Sequence, residues 1–408
     1  METYPLHAPV LEIYAVWHPG DNQGKEIADS FLTHFRGDRF SGLLGGTVDV
    51  YGRSAGLHGD GSKPPPIPFP GEPGVRAHYT VVVPMLGEAW AKAVEGACGP
   101  WHDYAVGIRA AWDLGQPHVG IFPLLLDPNG TRGELNTILG GIQRIAEPVR
   151  QARPENPSEL RIRDLSQALA KLISGDRERL TVFISHTMHG DASPEEIVDL
   201  VRRCIGRTRL GEWIDYHSLQ PGSDSVQELL ANASSGVLLA VRTDEYASRE
   251  WCQREVFTAK RAGVPVVVLD ALQAVDRRGS FLMDHAPRLC VGSHSSSAVE
   301  LGIQRALNLL VDEYLGRVLW RALQKLVAGR VDVDWWAPQA PEPTTFTGWL
   351  TAERMAGRVT GDGPIRILHP GPPLGLDEKQ VLNEIAHIGG IHRGLDITTS
   401  QLLAARGA

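Results

Sequence analysis

An apolar run from Val237 to Val241 leads into a segment with helical spacing, and this strand-helix pair restricts the fold more than any other stretch. A short run that is apolar throughout is typical of a strand buried on both faces, as in a parallel sheet. In the following segment, which begins at Ser248, Trp251 and Glu255 are four residues apart, so on a helix they share one face. Open parallel sheets bind ligands beyond the carboxyl ends of their strands. We therefore expect Glu255 to lie at such a crevice.

Apolar runs alternate with helical patterns along most of the chain, which predicts an α/β protein with parallel, doubly wound sheets. The predicted strands of the first half are 10–17, 47–51, 79–84 and 118–126, and its helices are 24–35, 104–112 and 134–145. The predicted strands of the second half are 180–185, 213–216, 237–241, 264–270 and 289–291, and its helices begin near 193, 225, 251 and 298. The tail has a predicted strand at 365–368 and a helix at 376–385.

The 408 residues are enough for two or three hydrophobic cores. Prolines flank a polar segment at 150–156, which is the clearest boundary in the chain. We expect an α/β domain at 1–148, a linker and helix at 149–177, a second α/β domain at 178–330, and a small C-terminal α/β module at 331–408.

Charge and cysteine usage exclude several classes of function. The net charge of −8 disfavours nucleic acids and anionic membranes as partners, because both are bound mainly by clustered Lys and Arg. No apolar run approaches the length of a membrane span, and no apolar h-region follows Glu2, so we expect neither membrane insertion nor secretion. The four cysteines lack metal-ligand spacing, so we expect reduced core thiols, no metal site and a cytoplasmic protein.

Three motifs occur in order on predicted strand ends and on the helix after the central strand. They are Phe183-Ile184-Ser185-His186, then Asp215 with Leu219-Gln220-Pro221-Gly222, then Ser248, Trp251-Cys252 and Glu255. Together they resemble the conserved boxes and active-site motif of a Toll/interleukin-1 receptor (TIR) domain, over roughly residues 178 to 320. The resemblance implies a flavodoxin-like, five-stranded sheet. Bacterial domains of this family commonly cleave NAD in antiviral defence, and their catalytic glutamate aligns with Glu255. The resemblance also makes Pro221-Gly222 a mobile loop beside the site.

A single carboxylate suits this chemistry. Nicotinamide leaves a positively charged pyridinium as a neutral base, so its departure needs no proton, whereas ordinary glycosidases use a second carboxyl group as acid. Glu255 would stabilise the oxocarbenium-like transition state and hold ribose hydroxyls. The candidate substrate-binding residues are Ser185, His186, Asp215, Arg242 and Trp251.

Each candidate also has a purely structural interpretation. Glu255 would then be a solvated helix carboxylate paired with Arg254 or Lys260. Arg242 would form an ion pair with Asp244 instead of binding phosphate. In the same way, Trp251 would belong to the core, His186 would be a hydrogen-bonded strand-end residue, and Asp215 would cap the loop that follows it.

The first half repeats the element order of the second, with Trp101 in the place of Trp251. Four residues later stands Ala105, where the catalytic pattern requires an acid. This half resembles a degenerate TIR-like domain, which gives two flavodoxin-like sheets in tandem. It should be catalytically silent and serve as an assembly surface or a sensor.

The leading hypothesis is a bacterial NAD nucleosidase that releases nicotinamide and ADP-ribose, or a cyclic form of it. NAD is its substrate, and no cofactor is expected. Self-association through the TIR-like units, or a nucleotide or protein signal, would activate it. The alternative is a non-catalytic TIR adaptor that makes protein contacts, and a third hypothesis is a nucleoside-processing enzyme such as a deoxyribosyltransferase.

Overall fold

The computed structural model describes most of the chain. The described residues are 8–37, 39–40, 46–55, 64–70, 77–145, 157–175, 180–187, 194–213, 236–273, 279–291, 296–358, 363–400 and 402. The helix predicted near 225 lies outside them.

The first sheet is parallel and built from the amino-terminal third of the chain. Its strands, β1 to β5, are Leu11–Trp17, Val48–Arg53, Tyr79–Leu86, Val119–Ile121 and Leu124–Leu125. Their order is β2-β1-β3-β4, and β5 also pairs with β3. Its helices, α1 to α4, are Asn22–Phe35, Glu88–Ala93, Pro100–Asp113 and Gly133–Leu139.

The second sheet is also parallel and has five strands. Its strands, β6 to β10, are Thr181–Ser185, Gly211–Trp213, Gly236–Arg242, Val266–Asp270 and Arg288–Cys290. Their order is β10-β9-β8-β6-β7, which in sequence terms is the 2-1-3-4-5 order of flavodoxin-like folds. The helices α5 to α8 are Pro157–Ser174, Pro194–Gly206, Glu250–Arg261 and Ser296–Leu326.

Both faces of the second sheet are buried, as its apolar strands require. Along β8, Val237, Leu239 and Val241 pack with α6 and α8, whereas Leu238 and Ala240 pack against α7. The fold is therefore α/β with doubly wound parallel sheets, as the sequence predicts.

One apolar layer of helices, formed by α1, α5, α6 and α8, lies between the first and second sheets and joins their inner faces in a single core. Helix α8 has 31 residues and is about 46 Å long, so it reaches both sheets. Some polar groups in this layer are paired across helices. Arg163 of α5 donates to Gln304 Oε1 of α8 at 2.6 Å, and His34 of α1 lies 3.2 Å from Asp312 of α8.

The C-terminal module, residues 335–399, is a small parallel α/β unit. Its strands, β11 to β13, are Trp335–Trp336, Ile365–His369 and Leu395–Thr399, and its helices, α9 and α10, are Pro343–Met355 and Leu376–Ile388. It has its own apolar cluster around Phe346 and Ile367. Only β12 and α10 were expected from the sequence.

Several predicted elements differ from the structure for local reasons. The strand predicted at 118–126 is split into β4 and β5 around Pro123, which has no N–H for a ladder. The helix predicted at 134–145 ends at Leu139, before Gly140 and Gly141, since glycine disfavours helix interiors. The strand predicted at 213–216 begins at Gly211 instead.

The four cysteines are free thiols, but only two of them belong to the core. Cys204 and Cys252 are buried, whereas Cys98 and Cys290 are exposed, so the expectation of core thiols is wrong for those two. In the part of the chain described, no helix is both long enough and apolar enough to cross a bilayer.

If the shared helical layer is a packed core, truncating a leucine in it should strongly lower the stability of the protein. Leu169 of α5 is fully buried in it, so we expect Leu169→Ala to lower the free energy of unfolding by about 2–5 kcal/mol. The same substitution at Leu114, which is 71% exposed at the end of α3, should change it by less than about 0.5 kcal/mol. Urea denaturation followed by circular dichroism measures both. Equal effects would show that this layer is not a packed core.

Candidate functional site

The candidate site lies where β6 and β8 end side by side. Their parallel register pairs Ser185, the last residue of β6, with Ala240 of β8. The strand order reverses between these two strands, because β7 continues the sheet on the side of β6 and β9 continues it on the side of β8. Ligands of doubly wound sheets bind at such a switch point, beyond the carboxyl ends of the strands.

Glu255 of α7 is buried at this point, with 1% of its surface exposed. Ser185 Oγ donates a hydrogen bond to Glu255 Oε2 at 2.5 Å, and Ser185 Oγ also lies 2.5 Å from the hydroxyl of Tyr246. A serine hydroxyl has one proton, so when Ser185 gives it to the carboxylate, Tyr246 must be the donor to Ser185. The three side chains form a directed chain of hydrogen bonds that ends on the carboxylate.

Helix α7 is attached to both strand ends by its first turns. A short 3₁₀ helix, Tyr246–Ser248, leads from β8 into α7, and Gln253 Nε2 donates to the carbonyl of Ala247 at 2.7 Å. Cys252 Sγ lies 3.5 Å from the carbonyl of His186, directly after β6. These contacts fix the helix so that the turn after Cys252 places Glu255 against Ser185.

The predicted residues Trp251 and His186 both lie beside this chain and are half-buried. Trp251 is one helical turn before Glu255, as its spacing predicts. The loops after β6 and β8 are joined by a 2.9 Å hydrogen bond between the hydroxyls of Thr187 and Thr243. The structure therefore brings Ser185, His186, Trp251 and Glu255 together around one strand end.

Arg242 is also at the end of β8, but its guanidinium is engaged with a neighbouring strand. Its Nη1 lies 3.0 Å from Asp270 Oδ1 in a buried ion pair, and Arg288 Nε lies 3.5 Å from the other oxygen of Asp270. Asp244, the ion-pair partner considered for Arg242 in its structural interpretation, accepts a hydrogen bond from the backbone N–H of Gln273. The ion pair with Asp270 ties the ends of β8 and β9 together.

The burial of Glu255 excludes the interpretation of this residue as a solvated surface carboxylate. Lys260, one of the two partners considered for it, donates to the carbonyl of Asp284 at 2.6 Å instead. The predicted site residues Asp215, Pro221 and Gly222 lie outside the described residues.

Tyr246 is a residue of the site that no motif in the sequence indicates. This tyrosine is fully buried five residues after Val241, and only its position between the central strand and α7 connects it with the site. In the described ranges, no group of three or more His, Cys, Asp or Glu side chains is placed to hold a metal ion.

The first sheet has a different arrangement at its own switch point. Ala105 on α3 is fully buried in an apolar cluster that also contains Trp101, so no acid stands there. A cleft of about 400 Å³ opens nearby, lined by Asp21, Glu88 and Asp127 among others. Asp21 accepts from the backbone N–H groups of two residues of α2, and burial raises the pKa of its carboxyl group. The N–H groups that begin α2 are thus already bound by carboxylates.

Neither a protein-family model nor a curated protein matches the sequence. The solved structures that align with it at low similarity include an isomerase and an aminotransferase domain. The tagatose-6-phosphate ketose/aldose isomerase from Escherichia coli is 11% identical over 78% of this chain and 84% of its own, with a TM-score of 0.20. The C-terminal domain of glucosamine-fructose-6-phosphate aminotransferase from Francisella tularensis is 9% identical over 76% of this chain and 84% of its own, with a TM-score of 0.19. Structural similarity at such low TM-scores does not support any inference about activity.

The hydrogen bond from Ser185 predicts a stability effect that is independent of any reaction. Ser185→Ala removes a donor to a buried carboxylate, so we expect the free energy of unfolding to fall by about 1.5–3 kcal/mol. Ser248→Ala removes an exposed hydroxyl that bonds the carbonyl of Glu245, and its effect should stay below about 1 kcal/mol. Chemical denaturation of both variants decides the point, and similar losses would argue against a strong bond between Ser185 and Glu255.

Proposed function

We propose that the protein cleaves the bond between nicotinamide and ribose in NAD, with Glu255 as the catalytic residue. The observation that carries the proposal is the buried Glu255 carboxylate, which Ser185 holds at the switch point of the second sheet. The resemblance of residues 178 to 320 to a TIR domain supplies the substrate class. The proposed enzyme is an NAD nucleosidase that acts as an effector of antiviral defence.

The reaction uses one carboxylate as an electrostatic group. As the glycosidic bond breaks, its electron pair neutralises the pyridinium nitrogen, and positive charge develops on the ribose ring. An anionic Glu255 stabilises that charge, and the attraction is stronger in a buried site than in water. Water then adds to the sugar carbon and loses a proton, which gives ADP-ribose. Attack by the adenine ring of the same molecule would give the cyclic product instead.

Ser185 and Tyr246 would orient the carboxylate in this mechanism. Their hydrogen-bond chain fixes one oxygen of Glu255, so the group does not have to reorganise as charge develops. The half-buried Trp251 would line the wall against which a ring of the substrate packs, and His186 and Asp215 would position ribose or diphosphate. Arg242 is assigned no substrate contact, because its ion pair with Asp270 explains its place in the fold.

Activation would depend on self-association through the TIR-like units or on a nucleotide or protein signal. The family resemblance motivates this part of the proposal, and the free cysteines motivate the assignment to the cytoplasm. The silent first sheet would then contribute an assembly surface or a sensor.

Substitution of the carboxylate tests the proposal directly. Glu255→Gln keeps the size of the side chain but removes its charge, so nicotinamide release should fall about 10²- to 10³-fold. Glu250→Gln is the matched control, because Glu250 is an exposed acid on the first turn of the same helix, and it should retain wild-type activity. Nicotinamide is measured by chromatography over a range of protein concentrations, with and without crowding agents, after thermal melts show that both variants fold.

Two outcomes would replace this proposal. If wild-type protein releases no nicotinamide at any concentration, the adaptor hypothesis takes its place. If it splits nucleosides but leaves NAD intact, and Glu255→Gln abolishes that activity, the protein is a nucleoside-processing enzyme.

A further inference from the structure

Lys260, near the end of the helix that carries Glu255, is a buried lysine that contacts the C-terminal module. Only 3% of its side chain is exposed. Its Nζ donates to the carbonyl of Asp284 at 2.6 Å and lies 3.8 Å from Glu342 Oε1. A buried ammonium group is costly unless it is paired. Burial lowers the pKa of Lys260, and the nearby carboxylate of Glu342 opposes that shift.

Glu342 is held rigidly on the side of the module. It is the N-cap of α9, and its carboxylate accepts the backbone N–H groups of Thr344 at 2.9 Å and Thr345 at 3.1 Å. The side chain is 2% exposed. Because the cap fixes this carboxylate, Lys260 cannot move without leaving its anionic partner.

The surfaces of α7 and α9 fit closely around this pair. A Cβ added to Gly348 of α9 would lie 3.0 Å from Arg261 Nε, and one added to Gly263 would lie 3.4 Å from a ring carbon of Pro338. The guanidinium of Arg261 is stacked over Phe257, 4.6 Å from the ring centre. Little space remains for α7 to slide or rotate against the module.

Glu255 and Lys260 are five residues apart, so they point in directions that differ by about 140° around the helix axis, about 7.5 Å apart along it. Ser185 therefore holds α7 from the side of the sheet, and Glu342 holds it from the side of the module.

We propose that the C-terminal module positions the catalytic helix, and that Lys260 and Glu342 are positioning residues for Glu255. The expected effect of this pair on catalysis rests on the proposed cleavage of NAD. The attachment of α7 to the module through the same pair does not depend on that proposal. Without the pair, α7 is free to shift, and a displacement of about 1 Å at a reacting group costs up to roughly 100-fold in rate.

The test compares Lys260→Met, Glu342→Gln and the double variant in the full chain. We expect each single variant to lower kcat for nicotinamide release roughly 10- to 100-fold, with a much smaller change in KM. The double variant should be no worse than the poorer single variant, because both remove the same interaction. Lys260→Arg, which keeps the charge, should recover part of kcat.

Hydrogen exchange supplies a readout that needs no activity. Amides of residues 250–261 should exchange faster in Lys260→Met than in the wild type, whereas those of β1 should be unchanged. Lys92→Met is the matched control, since Lys92 forms an exposed helical ion pair with Glu88, and it should alter neither kcat nor exchange in α7.

The outcomes separate this inference from the proposed function. If wild-type protein does not cleave NAD, the proposed function fails, and faster exchange in α7 of Lys260→Met still supports the attachment to the module. Unchanged exchange in α7 overturns the inference. In an active protein, an unchanged kcat, or a loss that appears in KM alone, overturns it as well.

Discussion

The apolar helical layer between the two larger sheets is the constraint on which the rest of the structure depends. Parallel sheets must bury both faces, and here one layer, made of α1, α5, α6 and α8, covers the inner face of each. Helix α5 follows the segment that the sequence marks as a linker, yet it packs within this layer. The two sheets therefore share a core. Pairs such as Arg163 with Gln304 allow polar groups in this layer to be buried.

Because the shared layer covers the inner faces of the two sheets, their outer faces must be covered by other helices. The outer face of the second sheet is covered by α7, and its apolar cluster includes Val256 and Ala259 of that helix. On another side of α7, helix α9 of the C-terminal module lies against it. The helix that carries Glu255 is thus enclosed between the sheet and the module. A carboxylate can be buried there because Ser185 supplies a hydrogen bond from the strand end.

The sequence was most informative where one local pattern determines the structure. Continuous apolar runs predict β1, β3, β6, β8 and β9, because strands buried on both faces have few polar residues to interrupt the pattern. The spacing of Trp251 and Glu255 predicts a shared helical face, and glycines with positive φ, such as Gly263 at +68°, follow helix ends. The order of the strands follows from the family resemblance more than from any single residue.

Elements defined by distant contacts were not predictable in the same way. Strand β11 has only two residues, Trp335 and Trp336, and it exists because β12 pairs with it. Tyr246 and Asp270 likewise acquire their roles from partners far along the chain, Ser185 and Arg242. Burial of Lys260 depends on the cap of a helix that begins 83 positions later, at Pro343. The spacing of apolar residues along the sequence does not indicate such pairings, because they depend on how distant segments pack together.

The two larger sheets show what a carboxylate at the switch point requires. They share the order 2-1-3-4 for their first four strands, and each places a tryptophan-bearing helix after its third strand. In the second sheet, the first strand ends in Ser185, which can bond the buried acid. In the first sheet, the corresponding strand ends in Val16 and Trp17, and Ala105 fills an apolar cluster. An acid at position 105 would be buried without that serine, at the cost of an uncompensated charge. A buried acid at this place therefore requires a hydroxyl at the end of the first strand that can bond it.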